Sequence, residues 1–350
     1  MKARADLPGR LAPTRRVAAW WRVALLAVWA ASALEAQLSD HALRFYGTGV
    51  GPPGQQDRVL IPVDDNVAGT GSSPIDVGSG SFTLEWWMRG ALADNTTSNG
   101  GGDVHVYDYS WIDGNIILDR DVWCGTQNAW GVSIAGGFVR FGVDAGDAGG
   151  GWTSTIEGDV DVLDGAWHHV AVVRDAAVGQ LRIVVDGVLD FETATGDAHV
   201  LDLSYPDAGV AVTPGNCDPG QLTPYGWYLV IAAEKHDAGA AYPSYAGFFD
   251  ELRIWNTART VEQVAANRFV DLPAQTGLVG EYRFEEGTGT IVGDTSGAAE
   301  ASPDGDLIAG SSGNGEWMAR IDDPFNTAPI GSATLIFVDG FESGNTLAWN

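Results

Sequence analysis

Residue types that often perform catalysis occur in this sequence, but their spacing does not suit a catalytic site. His168 and His169 are neighbours in a strand-like run, so their side chains point to opposite faces and cannot bind one metal ion together. Glu285 and Glu286 diverge in the same way. We interpret Asp250, in the strand-like run FFDELRIW, as a structural hydrogen-bonding residue. The sequence has no Gly-x-Ser-x-Gly elbow, His-Glu-x-x-His helix or phosphate-binding loop, so nothing in it indicates an enzyme.

The two cysteines, Cys124 and Cys217, are also residues of a reactive type. They lie in Gly-, Asn- and Asp-rich sequence that is typical of loops. An oxidising compartment would favour a disulfide between them. Closing a loop of about 90 residues stabilises a fold by roughly 4 kcal/mol in the chain-entropy model. We therefore predict a Cys124–Cys217 disulfide, and the alternative is two free thiols.

The amino-terminal segment indicates export. An Arg-rich start of bacterial type is followed by the apolar run Val23–Ala33, which has signal-peptide length and is too short to cross a bilayer. Small residues fit cleavage after Ala33 or after Ala36. We predict a signal peptide over residues 1–36 and a secreted or cell-envelope protein. A retained membrane anchor is the alternative.

The charge of the chain excludes several classes of partner. Its 350 residues include 19 Lys and Arg against 46 Asp and Glu, which gives a formal net charge of −27. Such a surface repels phosphate backbones and anionic lipids, so we expect no nucleic-acid partner and no membrane binding after signal cleavage. The charge also argues against sulfated glycans. Neutral sugars, cations and basic partners stay open.

Short strand-like runs between Gly, Asp and Pro residues dominate the rest of the chain. Every second residue from Phe82 to Met88 is apolar, as in a strand with one face on a core. Asp186-Gly187 predicts a hairpin turn, and Thr260 with Gln263 predicts the capping box of one short helix. The pattern predicts an all-β antiparallel sandwich, because strands and helices do not alternate. We expect Trp86 and Trp167 to share its core.

Eight blocks, taken together and in order, resemble the LamG-like jelly-roll domain of the concanavalin A-like lectin and glucanase superfamily. They are ALRFYG, SFTLEWWMR, NIILDRD, GVSIAGGFVRFGV, GAWHHVAVVRD, LRIVVDG, FFDELRIWNTART and GLVGEYRFEEGTGTIVGDTSG. The resemblance implies a jelly-roll domain over residues 41–310, although the last block often opens such a domain. It implies little about activity, since the fold carries lectins, hydrolases and structural modules. The Glu-x-Asp-x-Glu signature of related glucanases is missing.

The predicted sandwich also resembles that of the pentraxins, as a distant structural relative. Pentraxins bind calcium through an Asp-Asn pair before one strand and an acidic loop before a later strand. This resemblance implies four calcium ligands here: Asp113, Asn115, Glu234 and Asp237. Hard oxygen ligands from two loops at one rim suit Ca²⁺. The spacing departs from the family at both pairs, and solvated turn acids are the alternative. Three further acids are reserve ligands: Asp119, Asp121 and Asp218.

The predicted function is that of an exported, non-catalytic recognition module for carbohydrate or a cell-surface protein, with Ca²⁺ shaping one rim. A sugar site needs aromatic platforms beside polar groups. Aromatic residues in loop-like sequence are candidates for it, with core packing as the alternative: Trp123, Trp130, Trp152, Trp227, Tyr242 and Tyr245. The rival functions are a secreted glycan-cleaving enzyme on the same fold and a structural envelope or matrix component.

The carboxyl-terminal segment, residues 311–350, has a different composition from the sandwich. It ends in IFVDGFESGNTLAWN, which resembles the DGFESG-type endings of assorted exported bacterial proteins. Either this ending is a strand that docks on the sandwich, or it is a segment that export or surface machinery reads.

Overall fold

In this computed structural model the described residues are 39–47, 57–64, 69, 71–98, 111–121, 128–145, 153–205, 227–234, 242–308 and 315–330. All of them belong to the unit Ala36–Asn350. Several predictions lie outside the described residues and stay predictions: the signal peptide, the Cys124–Cys217 disulfide, the ligands Asp218 and Asp237, and the DGFESG-type ending. In the described part of the chain, no helix is long and apolar enough to span a membrane.

Sixteen strands and one α-helix make up the described elements. The strands are β1 (His41–Tyr46), β2 (Arg58–Pro62), β3 (Phe82–Gly90), β4 (Asn115–Arg120), β5 (Asn128–Ala135), β6 (Phe138–Ala145), β7 (Thr153–Glu157), β8 (His168–Asp175), β9 (Gln180–Val185), β10 (Val188–Glu192), β11 (Tyr228–Ile231), β12 (Ala246–Trp255), β13 (Leu278–Tyr282), β14 (Ile291–Val292), β15 (Gly305–Ile308) and β16 (Glu316–Ala319). The helix α1 (Val261–Asn267) follows β12, and a 3₁₀ turn (Trp111–Asp113) precedes β4.

The strands form two sheets in which neighbours run antiparallel. The first sheet has the order β10-β9-β8-β3-β12-β1-β16, and β13 also pairs with β12. The second sheet has the order β14-β15-β2-β11-β4-β5-β6-β7. Their inward side chains form one core. The prediction of an all-β antiparallel sandwich (jelly roll) with one short helix is therefore confirmed.

Aromatic side chains from both sheets meet in this core. The ring centroid of Phe82 in β3 lies 5.5 Å from that of Trp130 in β5 and 6.1 Å from that of Phe141 in β6. Each such pair adds about 0.5–1.5 kcal/mol to what area burial contributes. The predicted alternation in β3 is confirmed, since every second residue from Phe82 to Met88 belongs to the core.

The expectation that Trp86 and Trp167 share the core is wrong. The inward side chains of β8 are Val170 and Val172, which pack in the core with Trp86. Trp167 lies an odd number of residues from both valines, so it faces outward, where it packs with Trp87 on the outer face of the first sheet. The two valines, and not the tryptophan, decide which face of β8 is buried.

Both local signals in the sequence are confirmed. Asp186 (φ +53°) and Gly187 (φ +77°) form the two-residue turn between β9 and β10. The hydroxyl of Thr260 accepts the N–H of Gln263 at 3.3 Å, and the side-chain oxygen of Gln263 accepts the N–H of Thr260 at 2.9 Å. This reciprocal pair is the capping box that begins α1.

Helix α1 covers part of the outer face of the first sheet, where its Val264 packs against β8 and β9. Several polar side chains on the same face are buried. Glu85 of β3 accepts hydrogen bonds from the Trp255 indole (2.8 Å) and the Arg259 guanidinium (2.5 Å). Burial lowers the pKa of His169 far below its ordinary value, so this side chain is neutral. Pairing is what makes this buried polar layer tolerable.

Residues 315–330, which the sequence separates from the sandwich, pack against it. β16 pairs with β1 and extends the first sheet. Further along, Ala328 donates its N–H to Asp250 Oδ2 (2.9 Å), and the same oxygen accepts the hydroxyl of Ser39 (2.8 Å). Asp250 thereby ties two distant segments to β12, which is the structural role that the sequence predicts for it.

On the outer face of the second sheet, Trp111 lies over two glycines. A Cβ added at Gly131 in β5 or at Gly142 in β6 would overlap the Trp111 ring. The absence of both side chains lets the indole pack flat on the sheet, where it is 3% exposed.

We expect Gly131→Ala to lower the free energy of unfolding by about 1–3 kcal/mol, because the new methyl group displaces the Trp111 ring. Gly80→Ala is the matched control, since open space surrounds that position, and it should change stability by less than about 1 kcal/mol. Urea unfolding measures both. Equal stability of the two variants would contradict this packing.

A buried and a half-buried acid with raised pKa values, Glu251 and Glu285, lie beside β12. Burial raises the pKa of Glu251 to about 8, although the Arg253 guanidinium 3.3 Å away opposes the shift. Burial likewise raises the pKa of Glu285 to about 7, against the N–H groups of Asp40 and His41 that donate to it. The folded protein therefore binds these protons more tightly than the unfolded chain does.

The melting temperature should consequently fall as pH rises from about 4.5 to about 8, because stabilisation by these acids is complete below the unfolded pKa and is lost through the folded one. Glu251→Gln should flatten the decline and be more stable than wild type at pH 8. Glu300→Gln, an exposed acid, controls for net charge. Parallel melting curves for wild type and Glu251→Gln across this range would refute the assignment.

Candidate metal centre

Three buried carboxylates come together at one place on the second sheet: Asp119, Asp121 and Glu234. One oxygen of each lies within 4.8 Å of the others. Their exposures are 0%, 7% and 2%. We refer to these three residues as the acidic trio.

Two neighbouring strands position the acidic trio. Asp119 belongs to β4, and Asp121 follows two residues later, so their side chains leave the strand on the same side. The N–H of Asp121 donates to Asp119 Oδ1 at 2.8 Å, which holds Asp121 beside the end of β4. Glu234 follows β11, which pairs with β4 so that Val230 stands opposite Asp119. A left-handed residue, Ala232 (φ +72°), bends the chain before Glu234.

The charges of the acidic trio repel one another. At 4.8 Å and an effective dielectric constant of about 20, two unit charges repel by about 3 kcal/mol. The buried guanidinium of Arg120 offsets part of this repulsion. Burial lowers its pKa, whereas Asp76, Asp121 and Asp119 act in the opposite direction. Carboxylate oxygens this close to one another create a negative potential that attracts a cation.

The donor set fits a hard divalent ion. Ca²⁺ binds oxygen at about 2.3–2.6 Å, so two of its ligands are at most about 5 Å apart, and the oxygens of the acidic trio meet this limit. Ca²⁺ takes six to eight oxygens, of which three carboxylates supply a part. The segments that continue from Asp121 and Glu234, residues 122–127 and 235–241, lie outside the described residues.

The structure places the predicted ligands differently from the family pattern. Asp113 is exposed at the end of the 3₁₀ turn and does not belong to the group that the described acids form. The amide of Asn115 is bonded to the backbone, since it accepts the N–H of Thr97 (3.2 Å) and donates to the carbonyl of Ser244 (3.0 Å). Glu234 is instead joined by two of the three reserve ligands, Asp119 and Asp121. The spacing Asp119-x-Asp121 is the signal in the sequence that points to them.

The candidate sugar-binding aromatics fall into three groups. Trp130 and Tyr245 are fully buried core residues, so core packing, the alternative raised by the sequence, applies to them. Trp227 and Tyr242 are partly exposed. The ring of Trp227 stacks on that of Tyr228, with centroids 5.8 Å apart. Trp123 and Trp152 lie outside the part of the chain that the structure describes.

The described residues form an all-β antiparallel sandwich. No family model matches the chain. Among curated proteins, the rat (Rattus norvegicus) and mouse (Mus musculus) "Sushi, von Willebrand factor type A, EGF and pentraxin domain-containing protein 1" are each 24% identical over 123 residues. The match covers 33% of this chain, and the chain spans about 3% of the length of these relatives.

Solved structures with similar folds include a protein of Bacteroides ovatus named as a candidate carbohydrate-binding protein, at a TM-score of 0.48 and 17% identity over 81% of this chain and 60% of that one. A heptameric pentraxin of Limulus polyphemus has a TM-score of 0.38 and 13% identity over 65% of this chain and 82% of that one. Mouse laminin α1 domains LG4-5 have a TM-score of 0.38 and 10% identity, over 65% of this chain and 45% of that one. At these TM-scores the similarities do not identify a ligand.

We expect Ca²⁺ to raise the melting temperature of the wild-type chain by about 5 °C at one hundred times its Kd, because ion binding favours the folded state. Asp119→Asn should lose most of this gain, while it keeps the oxygen that accepts the Asp121 N–H. Asp113→Asn is the matched control and should keep the gain. Calorimetry in excess calcium and in EDTA measures all three.

The reverse result, in which Asp113→Asn loses the gain and Asp119→Asn keeps it, would favour the family pattern over the acidic trio. Identical wild-type curves in calcium and EDTA would contradict both.

Proposed function

We propose that this chain is an exported, non-catalytic recognition module that binds carbohydrate with the help of a Ca²⁺ ion held by Asp119, Asp121 and Glu234. The observation that carries the proposal is the closeness of three buried carboxylates on adjoining strands. Three ligands leave coordination positions that hydroxyl oxygens of a sugar can fill. The leader-like run Val23–Ala33 supports export.

Aromatic surface near the acidic trio supports a sugar ligand. Tyr228 and Val230 belong to one apolar cluster on the outer face of the second sheet, and Val230 stands opposite Asp119. The half-buried rings of Trp227 and Tyr228 stack on each other. Aromatic faces beside oxygen ligands are the combination that carbohydrate sites use.

The acids with perturbed pKa values favour binding over catalysis. A glycosidase needs two carboxyl groups that flank an accessible bond. Asp250 and Glu251 are instead buried, and both make structural contacts. Asp250 holds Ser39 and Ala328, and Glu251 pairs with Arg253. Burial first, and then the charges of neighbouring carboxylates, account for their raised pKa values.

A glycan array probed in calcium and in EDTA tests the proposal. We expect saturable binding to a carbohydrate class in calcium and a loss of about tenfold or more in EDTA. Asp119→Asn should reproduce the EDTA result, and Asp113→Asn should behave as wild type. Sustained release of reducing ends, lost with a carboxylate variant, would replace this function by glycan cleavage. Self-assembly without any glycan ligand would replace it by a structural role.

A further inference from the structure

A transverse row of arginine and aromatic side chains crosses the outer face of the first sheet, on the other side of the sandwich from the acidic trio. Arg44 of β1 stands opposite Phe248 of β12, and Phe248 stands opposite Arg89 of β3. The register places the three side chains side by side, with about 10 Å between the outer two strands. Tyr46 and Trp167 flank the row, and we call these five residues the arginine–aromatic patch.

The patch is packed through its rings. The guanidinium carbons of Arg44 and Arg89 lie 5.4 Å and 5.2 Å from the centroid of the Phe248 ring. Arg44 also lies 4.9 Å from the Tyr46 ring, and Trp167 meets Phe248 edge-on with centroids 6.0 Å apart. All five side chains are half-buried. Ring faces and cationic groups therefore remain accessible to one ligand.

Backbone groups hold one side of the patch in place. Arg89 donates from Nε to the carbonyl of Gly165 (2.8 Å) and from Nη1 to that of Phe325 (2.7 Å). Trp167 donates its indole N–H to the same Phe325 carbonyl at 2.8 Å. This side of the patch is thus preorganised, which reduces the entropy that ligand binding costs.

Arg44 forms the other side of the patch, and its guanidinium has no hydrogen-bond or ion-pair partner within the described ranges. The acid opposite it in the register, Glu316, instead accepts the hydroxyl of Tyr46. Arg44 therefore presents its donors in a planar fork that suits a carboxylate.

We propose that the arginine–aromatic patch binds a carboxylated sugar residue of an acidic glycan, such as a hexuronic acid. The apolar face of the sugar ring would lie on Phe248 and Trp167, and its carboxylate would accept hydrogen bonds from Arg44. A chain with a net charge of −27 repels dense polyanions, so singly charged sugar units suit it better than sulfated or phosphorylated polymers. A stable protein partner needs roughly 800 Å² on each side, which argues for a small ligand at five half-buried side chains.

Titration with an oligogalacturonate in EDTA at low salt tests the inference, with its fully methyl-esterified form as the matched control ligand. Calorimetry should show binding of the acid that is at least tenfold tighter than binding of the ester. Arg44→Gln should remove this difference and lower the melting temperature by no more than about 3 °C, because it loses only ring contacts. Arg182→Gln, on the same face of the same sheet, should leave it intact. A sialylated trisaccharide arm decides which carboxylated sugar the patch prefers.

Several results would overturn the inference. Equal binding of acid and ester, or acid binding that Arg44→Gln does not change, would remove the patch as a carboxylate site. Acid binding that disappears in EDTA and with Asp119→Asn would assign the carboxylate to the acidic trio instead. Conversely, Arg44-dependent binding in EDTA would stand even if the calcium-dependent function proposed above fails.

Discussion

The bulge in β12 is the local feature on which the arrangement of the first sheet depends. Between Asp250 and Arg253 the strand has one more residue than its partner β3, and Glu251 takes the left-handed conformation (φ +53°). Before the bulge β12 pairs with β1, and after it β12 pairs with β13. One central strand can thus hold two different neighbours on the same edge, and the acids at the bulge become buried.

The two ends of β12 lie in different surroundings on the outer face. Beyond the bulge, Arg253 is buried, and its guanidinium donates to the carbonyl of Asn267, the last residue of helix α1, and to that of Val270. Before the bulge, Phe248 is half-buried between two arginines and forms part of the exposed surface. The donors of Arg253 are satisfied by the protein, whereas the arginines beside Phe248 retain capacity for a ligand. The same strand therefore carries a structural half and a candidate binding half.

Short-range sequence signals, namely hydrophobic alternation, turn residues and helix capping, made much of this structure predictable. Period-two alternation located the inward face of β3, and turn and capping chemistry located the β9–β10 turn and the start of α1. The outer faces were not predictable, since what covers them comes from distant sequence. Glu85 is buried by Trp255 and Arg259, about 170 residues away in the chain. The same limit explains Trp167, whose outward packing depends on the segment that contains Phe325.

The acidic trio shows where sequence reasoning about a site stops. Glu234 and the reserve residues Asp119 and Asp121 could be named as oxygen donors, but only the pairing of β11 with β4 brings them together. No local pattern specifies that register across more than 100 residues. Because the three carboxylates join the ends of two paired strands, a cation bound there would stabilise the sheet that positions them. The arginine–aromatic patch belongs to the other sheet, and backbone carbonyls hold its Arg89 and Trp167 side chains. The two candidate sites are thus positioned by separate interactions on separate sheets.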